Sequence, residues 1–139
     1  MTAGGVAAPF GTAWVAAVLA LALHVADEAA HDFLAWYNPR ALRIRQRFGR
    51  FPFPPTFTFW PWLLGLSAAV VVLAVLTPLA FAGDPGMRWA AFALGAIHVA
   101  NGSLHLAGAI IARRAVPGVW TAPVLLLAGA WVVLAAAQL

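Results

Sequence analysis

All four histidines of this 139-residue chain fall in two copies of one short pattern, and both copies lie inside long apolar stretches. The first copy is His24-Val25-Ala26-Asp27-Glu28-Ala29-Ala30-His31. The second is His98-Val99-Ala100-Asn101-Gly102-Ser103-Leu104-His105. Both read H-V-A-[D/N]-x-x-x-H. Three of the four acidic residues, Asp27, Glu28 and Asp32, sit in or beside the first copy. Ionisable groups are costly in hydrocarbon, so such a concentration marks a functional site. It also constrains the fold, because lipid cannot satisfy these groups. The polar stripes must meet each other or water.

The rest of the chain is built for lipid. Hydrophobic residues make up 64% of it, charged residues 9%, and the mean hydropathy is +0.91. That composition implies an integral membrane protein with a single domain over residues 1–139. There is no cysteine, which excludes disulfides, thiolate metal sites, iron–sulfur clusters and a cysteine nucleophile. All eight basic side chains are arginine, and they flank apolar segments. They point to membrane orientation and lipid headgroups rather than nucleic acid. No basic residue precedes the first apolar run, so a signal peptide is not expected.

A membrane-spanning helix needs about 20 mostly apolar residues. Four segments qualify, over about 10–36, 59–81, 87–112 and 119–139. The expected architecture is an all-α, four-helix transmembrane bundle. Asn38-Pro39-Arg40 is expected to stop the first helix. Gly83-Asp84-Pro85-Gly86 and Pro117-Gly118 mark turns.

Arg40, Arg43, Arg45, Arg47 and Arg50 follow the first segment, and Arg113 and Arg114 follow the third. Only Arg88 lies between the second and third. The positive-inside rule then puts both termini outside and the arginine-rich loops in the cytoplasm. Trp14 and Trp89 are expected at the outer interface, and Trp36, Trp60, Trp62 and Trp120 at the inner one. Residues 41–48 interleave Leu42, Ile44 and Phe48 with arginines, which fits an interfacial segment on anionic headgroups or a solvated basic loop. Residues 49–55 read as a stiff, proline-rich connector.

With each helical residue advancing about 100°, His24, Asp27, Glu28 and His31 lie within about 100° of arc, and His98, Asn101 and His105 form a matching stripe. Depth, counted back from Arg40 and Arg113, pairs His24 with His98 and His31 with His105 to within about 1.5 Å of rise. The copies suggest two tandem two-helix repeats. They differ at Glu28 against Gly102 and Asp27 against Asn101, which fits a substrate entering beside Gly102 and Ser103.

A metal site is the leading reading, since imidazole and carboxylate are ligands for zinc, iron or manganese. His24, Glu28, His31, His98 and His105 are the candidate ligands, with Asp27 and Asn101 orienting them. Glu28, or Asp27 in its place, is the candidate general base. Other readings use the same residues: a hydrogen-bonded network that only glues helices, a proton-coupled carrier or ion path, or one haem between His24 and His98. Ser103 points away from the stripe. Ser67, Thr77 and Thr121 read as backbone-bonded residues of membrane helices.

His24-x-x-Asp27-Glu28, followed by Asn101-x-x-x-His105 in a later helix, resembles the HXXEE family of small bacterial membrane proteins. The resemblance covers most of the chain. It departs at Asp27, where the family pattern has glutamate, and a shorter carboxylate reaches less far as a ligand. The resemblance implies which residues matter and a multi-pass location in a bacterial inner membrane, without implying a reaction. From the residues, the expected function is a metal-dependent membrane enzyme, hydrolytic or oxygen-activating. It would carry zinc or iron, with membrane lipid around it and a hydrophobic small-molecule substrate.

Overall fold

The computed structural model describes residues 4–49 and 53–139, with side chains from Pro9 onward. Among these residues the structure is all helical. Its elements are α1 (Gly4–Ala30), α2 (Phe33–Phe48), α3 (Phe59–Val75), α4 (Thr77–Ala82), α5 (Pro85–Ala112) and α6 (Ala122–Ala136). Three stretches are long and apolar enough to cross a membrane: Pro9–Ala30, Phe59–Ala82 and Pro85–Ala112. The connector expected over 49–55 lies partly outside the described residues.

The first segment differs from its expectation. α1 ends at Ala30, and Asp32 adopts a left-handed backbone with φ 53°. Aspartate tolerates this conformation better than most residues. The Asp32 carbonyl accepts from the Ala35 and Trp36 amides and so starts α2. Nor does Pro39 stop a helix, since α2 runs through it to Phe48. Proline supplies no amide there. Either side of it, the Arg40 guanidinium donates to the Trp36 carbonyl and the Arg43 Nε to the Pro39 carbonyl, 3.3 Å away, each four residues back in the same helix.

α3 and α4 form one apolar rod broken at Leu76, two residues before Pro78. Near this break the Trp14 indole donates to the Leu73 carbonyl at 3.0 Å. Trp14 is fully buried, so it serves the core and not an outer aromatic belt. Trp62 is likewise buried, whereas Trp60, Trp89 and Trp120 are exposed. α6 is shorter than the expected fourth span, because turns occupy the chain from Pro117 to Thr121. Its 15 residues rise about 22 Å, against about 30 Å of hydrocarbon.

The core is a seam of small and large apolar residues. Phe10, Trp14 and Ala17 of α1 pack with Ala80 of α4, Met87 and Ala91 of α5, and Val132 and Ala136 of α6. Outward faces stay apolar: Val75, Leu104, Ile110, Ile111 and Leu134 are all exposed. A helix apolar all round is what a lipid surround demands. α5 and α6 approach through glycines. A Cβ at Gly129 would stand 2.6 Å from the His98 Cβ and 2.9 Å from the Gly95 carbonyl oxygen. A Cβ at Gly102 would stand 2.8 Å from the Ala122 carbonyl oxygen, so α6 fills the space expected for substrate entry.

Gly129→Ala should therefore destabilise the protein by about 1–3 kcal/mol, as overpacking does. Gly65→Ala, with nothing within 4 Å of the added carbon, should not destabilise it. Thermal unfolding of both variants in one detergent checks the pair.

Candidate metal centre

α1 and α5 run parallel and in contact, but not in the register that depth counting gives. His98 Nε2 donates to the Ala17 carbonyl at 3.0 Å. The rings of His24 and His105 meet edge to face with centroids 4.7 Å apart. Both contacts join residues 81 apart in sequence. The first histidine of one copy thus meets the second histidine of the other. Counting from Arg40 misplaces α1 because Arg40 belongs to α2, a separate helix beyond the Asp32 turn. The facing stripes are present, shifted by two helical turns.

Three ligand atoms converge where the helices meet. Glu28 Oε1 lies 3.1 Å from His105 Nε2 and 3.6 Å from His24 Nε2. One ligand atom from each of the three residues lies within 4.8 Å of the other two. All three side chains are buried, at 1% exposure for His24, 4% for Glu28 and 3% for His105.

The surroundings fix which nitrogens carry hydrogen. His105 Nδ1 lies 2.7 Å from the Pro117 carbonyl oxygen, which can only accept, so Nδ1 is the donor. The Thr121 hydroxyl donates to Asp27 Oδ2 at 2.9 Å. Its oxygen then accepts from His24 Nδ1, 2.8 Å away. Both imidazoles therefore present a bare Nε2 lone pair toward a carboxylate oxygen. Such a cluster is repulsive until a cation sits in it. A proton on His105 Nε2 satisfies Glu28 but leaves His24 Nε2, which has no hydrogen-bond partner among the described residues, still bare. One metal ion would satisfy all three. Ligands at about 2.1 Å around a tetrahedral ion stand roughly 3.4 Å apart, close to the separations from Glu28 to the two imidazoles.

Gly118 forms the seat for both rings. Its φ is +81°, and an added Cβ would stand 2.7 Å from His105 Cε1 and 2.9 Å from His24 Cε1. The Pro117-Gly118 turn, read in the sequence only as a boundary, is part of the centre.

The other candidate ligands lie elsewhere. His31 is in the turn after α1, its side chain 54% exposed, bonded through Nδ1 to Asp27 Oδ1 at 2.8 Å. His98 is buried and clamps α5 to α1 through Ala17, so it does not pair with His24 as haem ligands would. Asp27 is engaged by His31 and by both the amide and hydroxyl of Thr121, the amide at 3.2 Å. It orients His24 through Thr121 and has little freedom to act as a base. Asn101 lines two cavities beside the cluster. Ser103 is exposed on the outer face of α5.

Thr121 is the residue that sequence reasoning missed. It sits at the N-cap of α6, ahead of Ala122-Pro123, yet its side chain makes no capping bond. A capping residue that leaves its own helix uncapped is free for tertiary work. Threonine followed closely by a helix-starting proline was the available signal.

Outside the spans, α2 supplies an aromatic wall. Phe33 stacks on Tyr37 at 5.2 Å and on Trp62 at 5.8 Å, and lies 5.7 Å from the His105 ring. Burial raises the Tyr37 pKa, with Arg45 pulling the other way. Burial, then repulsion from Arg43 and Arg114, lowers that of Arg40. The Asn38 side chain donates to the Phe57 carbonyl and accepts from its amide, at 2.8 and 3.1 Å, stapling the connector to α2.

Residues 14–133 match the family described as protein of unknown function with HXXEE motif. The chain belongs to the HXXEE family. No curated protein and no solved structure matches it. Within the motif, His24 and Glu28 enter the cluster, and Asp27, at the first acidic position, holds His24 through Thr121.

The inferred tautomer is testable without metal. In chelator-treated protein, nitrogen-15 spectra should show His24 protonated at Nδ1. Thr121→Val should abolish that preference while leaving His105 unchanged.

Proposed function

We propose that this protein is a multi-pass metalloenzyme of the bacterial cytoplasmic membrane. His24, Glu28 and His105 hold one divalent transition metal and leave a coordination position open to a lipid-soluble substrate. The observation that carries this reading is the convergence of two oriented Nε2 lone pairs on a buried carboxylate. Two histidines and one carboxylate are the ligand set of some hydrolytic zinc sites and of oxygen-activating, non-haem iron sites. Such a metal would polarise a substrate carbonyl or phosphoryl group, or lower the pKa of bound water to about 7.

This chain's residues divide the remaining work. The Pro117 carbonyl and the Asp27–Thr121 pair lock the imidazole orientations, as the outer partners of metal-bound histidines do. Gly118 keeps the seat free of side chain. The buried walls of α1, α5 and α6 exclude bulk water. The rival reading, a proton carrier, also uses membrane histidines and carboxylates. It gives no role to the bare His24 Nε2 once one proton is shared between Glu28 and His105.

Elemental analysis of purified protein should find about one zinc or iron per chain. His24→Ala, His105→Ala and Glu28→Gln should each remove most of it. His31→Ala should retain it, and Thr121→Val should weaken affinity by about 10- to 100-fold. A metal-free wild type that stays folded would favour the carrier.

The orientation proposed places the α2 loop in the cytoplasm and both termini outside, from seven arginines in the first and third loops against one in the second. It takes the short α6 as the fourth crossing. Reporter fusions after Gly49 and after Leu139 should report opposite sides.

A further inference from the structure

Two cavities adjoin the cluster and share Phe33, Tyr37 and Asn101 in their walls. The first, about 270 Å³, is lined by Trp36, Arg40 and Ile44 of α2 and by Leu104 and His105 of α5. The second, about 600 Å³, is lined by Glu28 and by Trp62, Gly65 and Leu66 of α3. One cavity therefore reaches the centre at its imidazole and the other at its carboxylate. Leu104 and Gly65 are both exposed on outward faces, so both cavities border the surface that lipid would cover.

The polar groups along this path are few and positive. Among the described residues the only ion pairs involve histidines, so no carboxylate neutralises Arg40, Arg43 or Arg114. Arg40 spends one donor on the Trp36 carbonyl and rests over the Trp36 ring at 4.3 Å, and its other N–H groups remain for an acceptor. The Trp36 indole N–H is buried without a partner among the described residues and belongs to a residue of the same cavity wall. α2 carries exposed Leu42, Ile44 and Phe48 among its arginines, as a helix at headgroup level does.

From this juxtaposition we infer that the ligand is an acidic membrane amphiphile. Its anionic headgroup sits on Arg40, its apolar chain lies along Trp62, Gly65 and Leu66, and the linkage between them reaches His105 and Glu28. Charge complementarity selects the occupant: an uncompensated guanidinium fits a phosphate or carboxylate, which it can bind with two parallel hydrogen bonds. A chain-shaped molecule uses both cavities, whereas a free anion uses only the first. The last clause, placing the linkage at the centre, rests on the metal reading above. The binding mode does not.

Calorimetric titration of the full chain in uncharged detergent tests it. The probes are a short-chain phosphatidic acid, the diacylglycerol with the same chains, and inorganic phosphate. Phosphatidic acid should bind at least about 10-fold more tightly than either other probe. Arg40→Gln should erase the preference over diacylglycerol, a loss of about 10- to 100-fold as expected for a charged hydrogen bond. Arg40→Lys should keep part of it. Leu104→Trp, at an exposed position of the cavity wall, should weaken phosphatidic acid binding.

Equal affinity for phosphatidic acid and diacylglycerol would overturn the headgroup assignment, as would an unchanged Arg40→Gln. Inorganic phosphate binding as tightly as phosphatidic acid would overturn the amphiphile. An unaffected Leu104→Trp would overturn the cavity. Metal content of the same samples separates the two ideas. Selective lipid binding by a metal-free protein would sustain this inference and defeat the metal centre, and a metal-loaded protein without selectivity would do the reverse.

Discussion

The hydrogen-bonded chain from Asp27 through Thr121 to His24 ties the protein together. It runs from α1 to the start of α6 and back to α1, with steps of 2.9 and 2.8 Å. It lies next to the Pro117-Gly118 turn, which holds His105 from the other side. Without it, His24 could place its proton on either nitrogen, and the buried Glu28 would face a donor or a lone pair at random. In an apolar surround an unpaired polar atom costs several kcal/mol, so such a chain is either complete or a liability. The chain is complete as far as His24 Nδ1, and His24 Nε2, which faces Glu28, is left without a hydrogen bond among the described residues.

Packing and chemistry are coupled through small residues. Gly129 and Gly95 let α5 and α6 touch backbone to backbone, and Gly118 leaves the space that the two imidazoles occupy. α6 is too short to be defined by apolar length alone, and its position follows from these contacts and from Thr121 at its first turn. His98 secures the same arrangement two turns away, by its bond to Ala17. The two histidine copies thus serve different ends. His24 and His105 face the cluster, while His31 and His98 hold the scaffold at its edges.

Much of this was legible in the sequence. The apolar runs place the second and third spans within two residues of their observed limits and overrun the end of the first by six, and the repeated histidine pattern locates the polar seam between the first and third. The register was not legible, because it depends on where a helix ends. The Asp32 turn is encoded by a single aspartate before Phe33-Leu34-Ala35-Trp36, and Pro39 was the louder but misleading signal. Side-chain donors from Arg40 and Arg43 add bonds to carbonyls four residues back on either side of that proline, local support within α2 that backbone propensity does not register. Thr121 reads in the sequence as a backbone-bonded residue of a membrane helix, and its bonds to Asp27 and His24, more than 90 residues away, are tertiary. The interface preference of tryptophan places Trp14 at the outer belt, whereas its bond to the Leu73 carbonyl, 59 residues away, is a tertiary contact that no local pattern announces.

The central claim is that two imidazole Nε2 atoms and one Glu28 oxygen bind the same ion. X-ray absorption at the metal edge of the purified protein reads this directly. The account predicts two imidazole nitrogens and carboxylate oxygen at about 2.0–2.2 Å, with one imidazole lost in His105→Ala and the shell unchanged in His31→Ala. A shell with no imidazole, or one that loses an imidazole in His31→Ala, would contradict it.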